Sequence, residues 1–254
     1  MQWALWLALL AALSPTLHDL ARHWVAHSWA RYSLGFVPLF VWVLATDARR
    51  SPRRIPGLVL IGASVLGQIL ASLASFPAAA RPLAPTAILG AVLFTGIASP
   101  RAAVLAFWLV PVPNVLIERL GGGALAAQLA GGAAKGASVL GATVVASEGA
   151  LRTAASHIVV PAQWGGLLLL VQLAGLAWYV GIRRGLAARP TAIALLATAA
   201  LAGPLQLVFL TAAAAALSLG HAGLGAFVID PVSWVAPLGV ALVLAERRRA
   251  GANA

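Results

Sequence analysis

Apolar residues run through this chain in long blocks, separated by short stretches of arginine, glycine and proline. A helix that crosses a bilayer needs roughly 20 mainly apolar residues, within a range near 17 to 25. Eight blocks approach that length: 2–17, 33–46, 57–75, 83–99, 102–117, 162–182, 191–217 and 231–245. A weaker stretch rich in Ala and Gly, 124–146, predicts a re-entrant segment or one packed against the bundle. Were it to cross, the count would become nine and the later topology would invert. No internal repeat and no separate soluble stretch interrupts the pattern. The expectation is an all-α, polytopic integral membrane helix bundle of about eight transmembrane helices, forming a single domain over 1–254.

Composition supports a membrane chain. It is 61% hydrophobic and only 9% charged, with a mean hydropathy of +0.95, where a soluble domain carries about 25% charged residues. The net charge of +11 does not point to nucleic acid, because the arginines sit between apolar blocks. That is how a topology signal is arranged. Under an eight-span reading, Arg49, Arg50, Arg53, Arg54, Arg101, Arg183, Arg184, Arg189, Arg247, Arg248 and Arg249 share one side. Arg22, Arg31, Arg81, Arg119, Lys135 and Arg152 share the other. The bias predicts both termini in the cytoplasm and His18, His23, His27, His157 and His221 on the outer side. Residues 1–17 lack a basic leading region and a small-residue cleavage site, so they are expected to be a retained helix. Cysteine is absent, which excludes disulfides, thiolate metal sites and a thiol nucleophile.

A few polar stretches carry candidate chemistry. "HDLARHWVAHSWARYS" (18–33) is amphipathic and predicts an interfacial helix with Leu20, Trp24 and Trp29 toward lipid. His23 and His27 stand one helical turn apart, but two ligands without a third make a weak metal site, and no metal or cofactor is expected. "FWLVPVPNVLIERLGGG" (107–123) ends a span at Pro111 and Pro113, which break helix hydrogen bonding. Asn114, Glu118 and Arg119 follow. In "VVASEGALRTAASHIVVPAQWGG" (144–166), Ser156 and His157 are neighbours, which alone makes no catalytic pair. Gln206 lies inside an apolar block two residues after Pro204, where a buried amide needs partners and commonly serves as glue between helices. His221 occupies a glycine-flanked outer loop, and histidine is the usual proton-transfer group near neutral pH.

Taken in order, these segments resemble the exosortase/archaeosortase family. Its members are polytopic, transpeptidase-like membrane proteins that act at the outer face on a tail made of a short motif, one hydrophobic helix and a basic end. The resemblance covers most of the chain and rests on four segments. "LSPTLHDLARHWVAHSWARYSLGFVPLFVWVL" is similar to the N-terminal region, and "FWLVPVPNVLIERL" to the Pro-rich span end. "SEGALRTAASHIVVPAQWGGLLLLVQLAGL" is similar to the segment with the nucleophile. "GPLQLVFLTAAAAALSLGHAGLGAF" is similar to the Asn-x-x-Arg helix and its histidine loop.

The departures bear on activity. At the start of the 162–182 block the family pattern is close to Ala-Cys-Ser-Gly, and this chain reads Gln163-Trp164-Gly165-Gly166. Trp164 therefore stands at the cysteine position, Gln206 at the arginine position, Gly203 at the asparagine and Leu34 at an N-terminal histidine, while His221 is kept. Tryptophan offers no nucleophile, only an N–H donor. Glutamine lacks the charge that would stabilise a developing oxyanion. The resemblance then implies a catalytically degenerate protein in a bacterial inner membrane. It would hold a hydrophobic helix or C-terminal sorting tail of single-span partners in a groove near Gln163, Trp164, Gly165, Gly166 and Gln206, with His221 as the one remaining catalytic-type residue. Other readings stay open. One is an active protease or transpeptidase using Ser147, Thr153 or Ser156 with His157 or His221 as base. Another is an accessory subunit of a larger membrane complex. A coupled transporter is disfavoured by the scarcity of intramembrane ionisable groups. Membrane lipids are expected partners in every case.

Overall fold

The computed structural model describes residues 2–147, 149–154, 156–162 and 166–229. The described chain is mostly helical. Its helices are α1 (Gln2–Ala26), α2 (Phe36–Thr46), α3 (Arg54–Leu73), α4 (Pro77–Ala80), α5 (Leu83–Thr95), α6 (Pro100–Val104), α7 (Asn114–Arg119), α8 (Gly122–Val139), α9 (Leu167–Arg183), α10 (Ala188–Ser218) and α11 (Ala222–Ile229). Short 3-10 turns cover Ser28–Gly35 and Leu105–Leu109. Among the described residues, four helical stretches are long and apolar enough to cross a membrane: Ala4–Ala26, Arg54–Leu73, Ala78–Thr95 and Ala188–Ser218. The proposed span 231–245 lies outside the described residues.

Several expected spans change shape. The first helix does not stop at residue 17; α1 continues to Ala26 through Pro15. A proline inside a helix removes one N–H and frees the carbonyl four residues earlier. Here the Ser14 hydroxyl donates to that freed Ala11 carbonyl at 2.8 Å, so the helix loses little. The stretch 102–117 is not one helix. It breaks into α6, a 3-10 turn and α7, with extended residues at 110–113 where Pro111 and Pro113 withhold their N–H groups. Of the 124–146 stretch, the part up to Val139 belongs to α8, packed along α10, and its last two residues enter a strand. The expectation of an all-helical chain also missed a small sheet, described below.

The chain divides into two compact units. The first holds residues 1–111 and 182–185 among its described parts. Its centre is an antiparallel pair, α3 against α5, that closes to backbone contact at glycine. A Cβ on Gly67 would meet Leu83 Cδ1 at 2.8 Å at the other end of the same pair. Helix α1 lays Leu9 and Leu13 on Ala84, Ala87 and Ala91 of α5. Small residues at such seams let helices approach closely, which matters in a membrane because lipid supplies no hydrophobic drive between helices. Asp19 of α1 is paired with Arg81, just before α5, at 2.8 Å. At the opposite end of α5, Gly96 turns at φ +67. The Arg50 N–H donates to the Gly96 carbonyl at 2.8 Å and the Arg53 N–H to the Leu93 carbonyl at 2.7 Å. The 50–53 segment thereby satisfies carbonyls that the end of α5 leaves without helical partners.

The second unit holds residues 112–181 and, among its described parts, 186–229. Gly132 and Gly136 of α8 sit against Leu207 and Thr211 of α10. The equal four-residue steps make these two helices parallel. Their shared core is built from Ala126, Ala130, Ala133 and Ala137 against Leu210, Ala213 and Leu217. A three-stranded antiparallel sheet caps it: β1 (Val145–Ser147), β2 (Ala150–Arg152) and β3 (His157–Val159), in that order. Ala146, Leu151 and Ile158 are register partners across the sheet and belong to the same core. Successive strand residues face opposite ways, so Arg152 and His157 lie on the other, exposed side.

Candidate functional site

Gly166 precedes α9 and has φ +87, a left-handed conformation that favours glycine. Its carbonyl accepts from the Leu170 N–H at 2.9 Å, which starts the helix. A Cβ placed there would lie 3.9 Å from the Gly203 Cα and 4.0 Å from the Ala202 carbonyl oxygen of α10. Leu129 of α8 lies 3.9 Å away. The head of α9 and the middle of α10 thus meet, glycine to glycine, within the second unit. Gln163, Trp164 and Gly165 lie outside the described residues.

Gln206 stands one turn beyond Gly203 and is only 6% exposed. Pro204 frees the Ala200 carbonyl, yet Gln206 makes no hydrogen bond to it or to any other described residue. Gln172 of α9 is fully buried, and neither amide atom has a hydrogen-bond partner among the described residues. Sequence reading singled out Gln206 and passed over Gln172, although both are amides inside apolar blocks. The same signal would also have found Gln68, buried on α3, whose Oε1 accepts from the Thr16 hydroxyl at 3.2 Å.

His221 is not near these groups. It is exposed in the turn between α10 and α11. The 12 residues from Gln206 to Ser218 alone rise about 18 Å along α10 at 1.5 Å per residue. The His221 N–H closes the end of α10 by donating to the Ala216 carbonyl at 2.9 Å, beside Gly220 at φ +80. This is a helix-terminating motif that any side chain at position 221 could complete.

Of the candidate hydroxyls, those of Thr153 and Ser156 are engaged in their own turn, and Ser147 is a strand residue. Ser147 pairs with Ala150 at the end of β1. Thr153 and Ser156 close the β2–β3 hairpin: the Ser156 N–H donates to Thr153 Oγ1 at 3.1 Å, and the two hydroxyl oxygens lie 3.2 Å apart. A polar cavity of about 360 Å³ is lined by Arg152, Thr153, Ala154, Ser156 and His157. Among the described residues no hydroxyl is hydrogen-bonded to His157 or His221. The arrangement holds a turn and shows no activated nucleophile.

In the first unit, the His23 and His27 rings lie tilted to each other with centroids 4.5 Å apart. Arg31 reaches back to the Trp24 and Val25 carbonyls at 3.3 and 3.0 Å, closing the end of α1. No group of three or more His, Cys, Asp or Glu side chains that could hold a metal exists among the described residues. A more strongly charged feature sits elsewhere in that unit: a cavity of about 410 Å³ lined in part by Arg50, Arg53 and Arg101. Comparison of the chain with protein-family models, with curated proteins and with solved structures finds no match.

Proposed function

We propose that this chain is a multi-pass membrane protein on an exosortase-like plan that has lost the covalent chemistry and binds a hydrophobic helical tail of a single-span partner. The observation that carries this reading is the meeting of Gly166 with Gly203 one turn from the buried Gln206. The segments that the resemblance assigns to nucleophile and arginine are distant in sequence, yet a side-chain carbon on Gly166 would reach van der Waals contact with Gly203. What lines that meeting point is glycine and amide, with no ionisable group among Gly166, Gly203 and Gln206. A site of that kind can hold a helix backbone closely and offer it hydrogen bonds. It cannot form an acyl intermediate, because neither a thiol nor an activated hydroxyl stands there. In this reading the arginines at 49–54, 101, 183–184 and 189 face the cytoplasm of a bacterial cell, the partner's basic end lies on the same side, and recognition of its short motif takes place toward the outer face.

The test is a defined pair. The full chain is co-expressed with a single-span reporter bearing a short polar motif, a hydrophobic helix and a basic end. A photo-reactive residue replaces Leu205. The reading expects an intact reporter crosslinked from this position, with crosslinking lost in Trp164→Ala. A reporter that is cut at its tail would show that catalysis persists. Crosslinking equal to that of a reporter with a scrambled helix would remove the proposed groove.

A further inference from the structure

We propose that the cavity at the arginine-rich end of the first unit is a binding site for the phosphodiester headgroup of an anionic membrane phospholipid. Arg50, Arg53 and Arg101 line it together with Ser51 and Ser99, and Val92, Leu93, Ala98 and Pro100 give it an apolar wall. The site is held by backbone, not by flexible side chains alone. Arg50 and Arg53 are fixed through their N–H bonds to the Gly96 and Leu93 carbonyls. Gly96 is so close to the Arg50 carbonyl that a Cβ at 96 would collide with it, and its φ of +67 favours glycine as well.

Charge complementarity selects the ligand. Between residues 47 and 101 the only carboxylate in the sequence is Asp47. Its two oxygens accept from the backbone N–H groups of Ala48 at 2.9 Å and Ser99 at 2.8 Å. Arg50, Arg53 and Arg101 thus bring three positive charges to the cavity lining, while the one acid of this stretch binds backbone N–H groups. Guanidinium groups suit a phosphate because their planar fork can donate two parallel hydrogen bonds. The wall and the flank of the cavity select a lipid over a free anion. Helix α3 starts at Arg54, and Ile55, Leu58 and Val59 on its first turns are 80%, 60% and 62% exposed. These exposed apolar residues follow Arg53 of the cavity lining within two turns along the chain, so acyl chains can run along α3 while the phosphate stays among the arginines. Basic pockets at the ends of membrane helices bind anionic headgroups in this manner.

The experiment uses the full chain in mild detergent, with phosphatidylglycerol, phosphatidylcholine and inorganic phosphate as probes. Native mass spectrometry reads bound lipid, and thermal unfolding reads the stabilisation. The wild-type chain is expected to retain phosphatidylglycerol over phosphatidylcholine by at least about tenfold, from roughly a kilocalorie-scale gain per arginine. Inorganic phosphate at equal concentration is expected to give no comparable shift. Arg50→Gln/Arg53→Gln/Arg101→Gln should lose the preference. Arg49→Gln/Arg54→Gln/Arg184→Gln removes the same charge outside the cavity lining and should keep it. No headgroup preference in the wild-type chain overturns the proposal whatever the variants do. So does an equal loss in both triple variants, which would indicate diffuse surface attraction, and so does a phosphate shift equal to that of the lipid. Should the cavity variant not fold, Arg50→Lys/Arg53→Lys/Arg101→Lys keeps the charge and should weaken retention by removing two-pronged donation.

Discussion

Gly57 and Gly90 face each other across the α3–α5 seam with no space for a side chain on either. A Cβ on Gly57 would lie 2.7 Å from the Gly90 carbonyl oxygen, and one on Gly90 would lie 2.8 Å from the Gly57 carbonyl oxygen. Both contacts are to backbone, which cannot rotate out of the way. Gly90→Ala should therefore force α3 and α5 apart and cost about 1–3 kcal/mol, the usual range for overpacking. Gly62→Ala on α3 meets nothing within 4 Å and should be neutral or stabilising, because alanine is the better helix former. Thermal unfolding of the two variants in one detergent checks this, and equal behaviour would refute the seam.

The Asp19–Arg81 pair ties α1 to the start of α5. Arg81 is 17% exposed and Asp19 32%, so the pair is only partly solvated. Removing one partner leaves the other charge short of its hydrogen bond. Asp19→Asn and Arg81→Gln should each destabilise by about 1–2 kcal/mol, in the range for hydrogen bonds to charged groups. The double variant should cost less than the sum, since the second change removes a group already unpaired. A double-mutant cycle on unfolding midpoints gives the coupling, and strict additivity would mean the ion pair contributes nothing.

Long helices were legible because their signal is long. The block 57–75 became α3 at Arg54–Leu73, and 191–217 became α10 at Ala188–Ser218. Sustained apolar composition fixes such helices even when their ends drift. The failures are local. Pro15 reads as a helix end, and only the Ser14 hydroxyl on the Ala11 carbonyl explains why α1 passes through it. Pro111 and Pro113 mark the end of a span in the sequence, whereas 102–117 is broken before them as well, at the 3-10 turn Leu105–Leu109. Strands of three residues such as Val145–Ser147 are too short to show a period of two. At the candidate site, the approach of Gly166 to Gly203 is a tertiary contact between two separate blocks, which apolar composition along either block does not specify. Position along α10 was enough to separate His221 from Gln206, since a helix of known rise cannot bring them together.

Helix ends offer a stabilising change. Helix α3 terminates at Ser75 with φ 52, the one non-glycine residue with positive φ among the described residues. The Phe76 N–H donates to the Ala71 carbonyl and the Ser75 N–H to the Ser72 carbonyl, at 2.9 and 3.1 Å. Gly141, Gly185 and Gly220 hold the equivalent place at the ends of α8, α9 and α10. Ser75→Gly should relieve the left-handed strain and stabilise by about 0.5–1 kcal/mol, raising the unfolding midpoint by about 1–3 °C. Gly220→Ala should do the opposite. A drop in midpoint for Ser75→Gly would contradict the strain at this turn.

The sheet is a structural cap. Leu151 is fully buried and pairs with Ile158 over the alanine core of α8 and α10. Alanines on both helices leave little side-chain volume to collapse into a void. Leu151→Ala should cost about 2–5 kcal/mol, while Val159→Ala, on an exposed position of the same sheet, should cost little. Comparable losses from both would mean that the sheet does not close this core.

Gln206 separates stability from binding. The Gln206 amide, on a residue 6% exposed in α10, makes no hydrogen bond among the described residues. Unlike those of Gln172, its amide atoms are not among the fully buried unpartnered groups, so replacing them should cost the fold little. Gln206→Leu, similar in size and apolar, should therefore hold or raise the unfolding midpoint. If the amide instead serves a bound helix, the same variant should lose crosslinking to the hydrophobic-tail reporter. Gain of stability with loss of capture is the signature of a residue kept for a partner at a structural cost. Loss of both would make Gln206 a structural amide with a role inside the fold. A variant that keeps full capture would take Gln206 out of the groove and leave Gly166 and Gly203 as a packing contact only.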